Sequence, residues 1–301
     1  MNTIPPLKIG DLILIISPAK AIPNKYVELA IQEFESWGLK VEVGLYAKGK
    51  HYYFSGKDSE RADDLQWALN HPKAKAIVTA RGGYGSIRII DKVDYTMFKR
   101  NPKWIVGFSD ATIFHNKLHS EFELPSIHAV APLYFDRLKS SNKTLTTLKA
   151  ALFGEEMITK ISAYSFNKLG EGEGLLVGGN LAIIASLIGS SLDIETDGKI
   201  LFLEEVSEYA YRFDRMLWSL KKAGKLDNLE GLIFGGLTDI KESQETFGCD
   251  IEELVNDVVS DYNYPVMFNY PAGHQLDNRA LVMGQKYVLK VEKNGATVIK
   301  S

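Results

Sequence analysis

Short apolar runs that alternate with amphipathic segments of helical period constrain this chain more than any other feature, because repeated strand–helix units can bury both elements in few ways. Residues 11–17 (DLILIIS) read as a buried strand. Asn24 then caps a helical pattern in which Val27, Ala30, Ile31, Phe34 and Trp37 recur three and four apart, closed by Gly38. Residues 40–45 give a second strand, 59–70 a second helix, and 76–80 a third strand running into Arg81-Gly82-Gly83-Tyr84-Gly85, with a helix expected from Ser86. The apolar run 104–108 ends in Ser109-Asp110, after which Ala111, Phe114, Leu118 and Phe122 keep helical spacing. Repeated βα units of this length predict a parallel sheet covered by helices on both faces.

The pattern changes near residue 155. Residues 160–174 show no clear period and carry Gly170, Gly172 and Gly174, which suits an interdomain crossing. The expected division is an N-terminal α/β domain over 1–155, a linker over 156–174 and a C-terminal domain over 175–301, and 301 residues is a comfortable length for two domains. The second domain reads as strands at 175–177, 200–203 and 232–234, helices at 180–187, 213–223 and 251–262, and a β-rich tail over 287–299. In that tail Asn294-Gly295 between alternating apolar runs is a hairpin signal.

Charge and cysteine usage narrow the function classes. With 35 Lys+Arg against 38 Asp+Glu the chain has no basic excess to neutralise a phosphate backbone, so nucleic acid is not an expected partner. The single cysteine, Cys249, excludes an intrachain disulfide and a cysteine-based zinc site, and fits a reducing cytoplasm. Residues 1–10 lack the apolar core of a signal peptide, so the protein is expected to remain cytoplasmic. The most membrane-like stretch, 175–192, is broken by Gly178-Gly179-Asn180 and reads as strand, turn and buried helix, so no membrane association is expected.

Chemistry is expected at strand ends. Ser109 stands between a buried strand and a helix start, where its hydroxyl would rise above the sheet toward backbone N–H groups suited to an oxyanion. The surroundings resemble a nucleophile elbow, although Ala111 replaces the second glycine of G-x-S-x-G, and a plain helix N-cap would use the same residue. The turn Gly82-Gly83-Tyr84-Gly85 could bind an anionic oxygen, yet it is neither G-x-G-x-x-G nor a P-loop. Of six histidines, His115 and His119 share a helix face without the glutamate of H-E-x-x-H, so no metal site is expected there. His274 follows a strand on an irregular loop, a position that suits a base. Glu204 and Glu205 end an apolar strand, where one carboxylate could orient an imidazole. Serine, glutamate and histidine in that chain order are a possible nucleophile, orienter and base.

Together with Ile16-Ser17-Pro18-Ala19, Arg81 to Gly85, Gly107-Phe108-Ser109-Asp110, Gly178-Gly179-Asn180-Leu181, Leu203-Glu204-Glu205, the run from Tyr211 to Leu217 and Gly273-His274, these residues make a chain that resembles the LD-carboxypeptidase (muramoyltetrapeptide carboxypeptidase) family of serine peptidases along nearly its whole length. The resemblance implies a flavodoxin- or Rossmann-like N-terminal parallel-sheet domain and a C-terminal mixed α/β domain with a β-rich, barrel-like core. It implies Ser109 as nucleophile, Glu204 as the acid that orients the base, His274 as the base, and the backbone N–H groups of Gly83 and Asp110 as oxyanion donors. Arg81, Tyr84, Asn180 and Arg212 are candidate substrate contacts. Beyond the nucleophile helix the chain reads His128-Ala129-Val130-Ala131-Pro132 where many members read His-Gly-Pro-Met.

The implied reaction is hydrolysis, without metal or cofactor, of the amide bond between an L-centre and a C-terminal D-alanine in cytoplasmic murein tetrapeptides during peptidoglycan recycling, by a homodimer. Two other readings stay open. Relatives of this fold cleave aminoacyl-nucleotide antibiotics in microcin-type self-immunity and need an aromatic surface for the base. A non-catalytic small-molecule binding module would use Ser109 only as a cap.

Overall fold

The computed structural model describes residues 3–138 and 142–301. Two compact units emerge, one formed by residues up to Glu156 with Leu276–Val282, the other by Met157–Gln275 with Met283–Ser301.

In the first unit β1 (Leu12–Ile16), α1 (Asn24–Ser36), β2 (Lys40–Val43), α2 (Asp58–Asn70), β3 (Ala74–Thr79), α3 (Thr96–Arg100), β4 (Trp104–Gly107), α4 (Thr112–Phe122), β5 (Ser126–His128) and α5 (Lys143–Phe153) follow in chain order. The sheet runs in the order β5-β4-β3-β1-β2, and each adjacent pair is parallel. All five residues of β1 are buried, as expected for a strand covered on both faces. The expected helix from Ser86 is one 3-10 turn, Ser86–Arg88. Local spacing there resembles a helix, but the backbone of Gly85 at φ +147° feeds a tight turn that does not propagate.

A strand at Leu281–Met283 adds to this sheet beside β5. Thr144 and Thr147 of α5 accept backbone N–H bonds from Asn278 and Ala280 through their hydroxyls, at 2.9 and 3.0 Å, and Thr144 Oγ1 donates to the Leu276 carbonyl.

The second unit contains β6 (Ile158–Ser162), β7 (Gly170–Asn180), α6 (Leu181–Leu187), β8 (Lys199–Val206), α7 (Ala210–Lys222), β9 (Gly231–Thr238), α8 (Ile251–Val259), β10 (Val266–Met267), then, after β11 (Leu281–Met283), β12 (Lys286–Glu292) and β13 (Gly295–Lys300). Its sheet runs β10-β9-β8-β7-β12-β13-β6, parallel from β10 to β7 and antiparallel across β12, β13 and β6. The hairpin at Asn294-Gly295 is present, with Glu292 opposite Gly295. Val177, Leu201, Phe213, Leu217, Phe234 and Val255 belong to one core between this sheet and its helices.

The stretch 156–174, expected as a linker, instead contributes β6 and the first five residues of the eleven-residue β7. Its glycines are explained by close backbone approach: a Cβ at Gly172 would lie 1.7 Å from the Glu230 carbonyl oxygen, and one at Gly174 2.9 Å from that of Gly198. Glycines required this way erase the apolar alternation by which a strand is read.

Candidate active site

The first unit presents Ser109 immediately beyond β4. Its φ of +61° lies in the left-handed region, which costs a non-glycine residue roughly 1–2 kcal/mol. Such a turn at the junction of strand and helix holds a serine hydroxyl clear of the sheet, and Ser109 is half-buried. The helical caps fall elsewhere, on Phe108 and Ala111, and neither is made by a side chain. The elbow closes tightly because Gly107 has no side chain: a Cβ there would meet Thr79 Oγ1 at 2.1 Å and Ala111 Cβ at 2.9 Å. Alanine at 111 is therefore accommodated by glycine at 107.

Behind the elbow, His115 bridges β4 and β5, its Nε2 3.0 Å from the Gly107 carbonyl and its Nδ1 2.8 Å from Ser126 Oγ. Burial, only partly offset by the Gly107 hydrogen bond, pulls this imidazole down to about 4.

The turn after β3 lies against Ser109. Gly82 is the residue in contact: a Cβ there would stand 2.8 Å from Ser109 Cβ, 3.0 Å from its Oγ and 3.3 Å from the Asp110 nitrogen. Gly83, at φ +107°, has its missing side chain directed toward Lys20 and Tyr53. Asp110 holds the far end of the turn, its Oδ2 accepting the Ser86 N–H at 2.9 Å, and burial raises its carboxyl above the ordinary range despite the Ser86 hydrogen bonds.

Arg61, buried in α2, ties three loops. Its guanidinium donates to the carbonyls of Pro18, Gly56 and Gly85, pairs with Asp58, and lies 4.6 Å from the Phe54 ring centroid. No sequence signal marks it, since an arginine in an amphipathic helix reads as surface. Arg81 donates to the Ala21 carbonyl at 3.1 Å, and Tyr84 is 48% exposed.

The second unit brings together Glu204 and His274. Glu204 is fully buried near the end of β8, at a register shift between Leu203 and Glu205 in the pairing with β9. Its Oε2 lies 2.7 Å from His274 Nδ1. A carboxylate at that distance makes Nδ1 the donor and fixes Nε2 as the basic nitrogen. Burial disfavours the imidazolium, but the hydrogen bond and charge of Glu204, with the charge of Glu205, outweigh it and raise the His274 pKa above its ordinary value. Gly273 permits the approach: at φ +105°, a Cβ there would fall 2.8 Å from both Cβ and Oε2 of Glu204.

Glu205 turns to other work. It accepts the N–H groups of Ala182 and Val206, both at 2.8 Å, and the Asn180 amide at 3.3 Å; burial raises its pKa despite these bonds. Asn180 also caps α6, its Oδ1 accepting from the Ile183 nitrogen. Arg212 lies apart on α7, half-exposed, with its Nε donating to the Tyr211 hydroxyl and its guanidinium over the Tyr209 and Tyr211 rings.

Residues 13–129 match the LD-carboxypeptidase N-terminal domain, and residues 173–289 match the LD-carboxypeptidase C-terminal domain. The chain belongs to the LD-carboxypeptidase family. The chain is 30% identical to a probable murein peptide carboxypeptidase of Bacillus subtilis (strain 168), over 96% of this chain and 92% of the relative. It is also similar to the muramoyltetrapeptide carboxypeptidase from Oxalobacter formigenes, with a TM-score of 0.87 at 28% identity, covering 96% of this chain and 99% of that one. The microcin C7 self immunity protein MccF, solved with aspartyl sulfamoyl adenosine, shares the fold at a TM-score of 0.87 and 20% identity, with 99% of this chain and 98% of that one covered. Among the described residues no helix is long and apolar enough to cross a membrane.

Proposed function

We propose that the chain is a serine carboxypeptidase that hydrolyses the LD-amide bond to the C-terminal D-alanine of murein tetrapeptides, in the cytoplasm during peptidoglycan recycling, and that it works as a homodimer. The observation that carries the reading is the 2.7 Å Glu204–His274 bond in a chain whose left-handed Ser109 elbow follows a buried strand. Ser109 Oγ attacks the scissile carbonyl carbon, and His274 Nε2 takes its proton. The N–H groups of Gly83 and Asp110 receive the oxyanion, and the imidazolium, stabilised by Glu204, returns the proton to the departing D-alanine nitrogen. Water then attacks the acyl-serine by the same route. Neither metal nor cofactor is required. Arg81, Tyr84, Asn180 and Arg212 are proposed to contact the peptide, with arginine suited to its terminal carboxylate.

The self-immunity reading draws on the MccF likeness and on Tyr209 and Tyr211, partly exposed rings 5.8 Å apart that offer a stacking surface. A single assay separates the two: purified protein is incubated with a murein tetrapeptide and with an aminoacyl-nucleotide amide. D-Alanine release from the tetrapeptide alone is expected. Cleavage of the nucleotide amide alone would replace the proposal, and inertness toward both would favour a binding module.

A further inference from the structure

We propose that the cavity at the C-terminal ends of β1, β2 and β3 is an anion subsite that takes a side-chain carboxylate of the substrate peptide; the identity of that substrate rests on the carboxypeptidase reading above. The loops that leave these three strands enclose a cavity of about 650 Å³, on the edge of a parallel sheet where such folds bind ligands. Its walls carry Lys20, Lys48, Lys50 and Arg81 and no acidic residue. Lys48 is paired with Glu28, outside the cavity wall, while Lys20, Lys50 and Arg81 have no ion-pair partner among the described residues. Arg81 spends one N–H on the Ala21 carbonyl, and Lys20 Nζ stands 4.8 Å over the Tyr53 ring. Tyr52 and Tyr53, 88% and 42% exposed, supply flat surface and hydroxyl donors beside these cations.

The position of the cavity ties it to the reaction. On one side of the turn after β3, Gly82 lies against Ser109; on the other, the missing side chain of Gly83 faces Lys20 Cβ at 2.9 Å and the Tyr53 hydroxyl at 3.0 Å. Two residues of chain span about 7 Å at most, so a ligand whose carbonyl reaches Ser109 needs only a side chain of ordinary length to enter the cavity. Cations and phenols with no acid among them recognise a carboxylate or a phosphate by charge-assisted hydrogen bonds. A diaminopimelate-type tetrapeptide has that extra side-chain carboxylate, and a lysine-type tetrapeptide lacks it.

The test is calorimetric titration of the full chain with both tetrapeptides and with AMP, on wild type, Lys20→Met and Lys50→Glu at the subsite, all carrying Ser109→Ala during the titration so that no peptide is consumed, each variant first shown to unfold cooperatively, with D-alanine release measured on the same chains with Ser109 intact. Wild type is expected to bind the diaminopimelate peptide about tenfold tighter than the lysine peptide. That ratio should approach one in Lys20→Met and fall below one in Lys50→Glu, and in wild type it should shrink with added salt. Equal affinities in wild type, or a ratio unmoved by both substitutions, would overturn the subsite. AMP binding tighter than either peptide would overturn its assignment to a carboxylate in favour of a phosphate. D-Alanine release is read in parallel: peptides bound with the expected ratio but not cleaved refute the hydrolase and leave the subsite standing, whereas cleavage without discrimination refutes the subsite alone.

Discussion

Glu204 and Glu205 differ in what their oxygens face. Alternation along a strand would send adjacent side chains to opposite faces, one buried and one wet, but both are buried here, each with its own partners. Glu204→Gln removes the charge that holds the His274 tautomer, and a loss of roughly 10⁴ in kcat is expected with folding intact. Glu205→Gln leaves one carbonyl acceptor where two carboxylate oxygens take the Ala182 and Val206 N–H groups, so one N–H loses its acceptor; most turnover should survive and stability should fall by about 1–3 kcal/mol. Steady-state rates and urea midpoints on both variants check the pair; the reverse order of damage would move the orienting role to Glu205. The raised pKa of His274 sets a pH signature as well. A base must be neutral to accept a proton, so the acid limb of kcat/KM should lie above about 6.5, the ordinary histidine value, and drop in Glu204→Gln. For stability the sign is opposite. The folded state favours the imidazolium, so this contribution is complete below about pH 6.5 and is lost as pH rises through the raised folded value. A pH series of urea midpoints for wild type and His274→Gln reads it.

Among the elements, the glycine turn and its supports decide whether the Ser109 elbow is held. Gly82→Ala would place a methyl 2.8 Å from Ser109 Cβ, so the turn must shift, and a fall of about 10² in kcat is expected from misplacement alone. Arg61→Met leaves the buried Pro18, Gly56 and Gly85 carbonyls without this donor, while Asp58 keeps Arg88 and Lys92, and a buried acceptor left unsatisfied costs about 1–3 kcal/mol. Thermal unfolding together with activity separates the two, the first lowering rate and the second stability. His115, held at about 4 by burial, is neutral when folded. Its contribution, on the order of 3 kcal/mol, is therefore present above about pH 6.5 and lost as pH falls toward 4. His115→Asn should flatten that acid limb of the stability curve. The same elements show what leaves a local mark in the sequence. The elbow at Ser109, the acids near the end of β8, the loop histidine and the Asn294-Gly295 hairpin all carry local signatures. Gly82, Arg61 and His115 do not, because contact with Ser109, a three-loop clamp and a bridge between strands are set by residues far away in the chain.

At the scale of the whole molecule, the alternating strands and helices of the first half were legible because each βα unit is local. The edge strand at Leu281–Met283 was not, since a chain that returns to the first sheet after 120 or more residues leaves no nearby mark. A fragment ending at Glu156 therefore lacks Ala280, Leu281 and Val282, all buried, and exposes the edge of β5. Leucine and valine burial alone stabilises by about 3 kcal/mol or more, so this fragment should unfold at markedly lower urea than the same fragment carrying residues 276–284 on a flexible linker. Equal midpoints would contradict the assignment of that strand to the first unit. The central claim is nucleophilic attack by Ser109, and its most direct measurement is D-alanine release from a murein tetrapeptide by Ser109→Ala, with urea unfolding of the same sample. The account predicts a loss of several orders of magnitude, up to about 10⁶ by the precedent of triad deletions, and stability within about 1–2 kcal/mol of wild type. Turnover that persists in Ser109→Ala, with stability reduced by that same amount, would contradict it and leave Ser109 a structural residue.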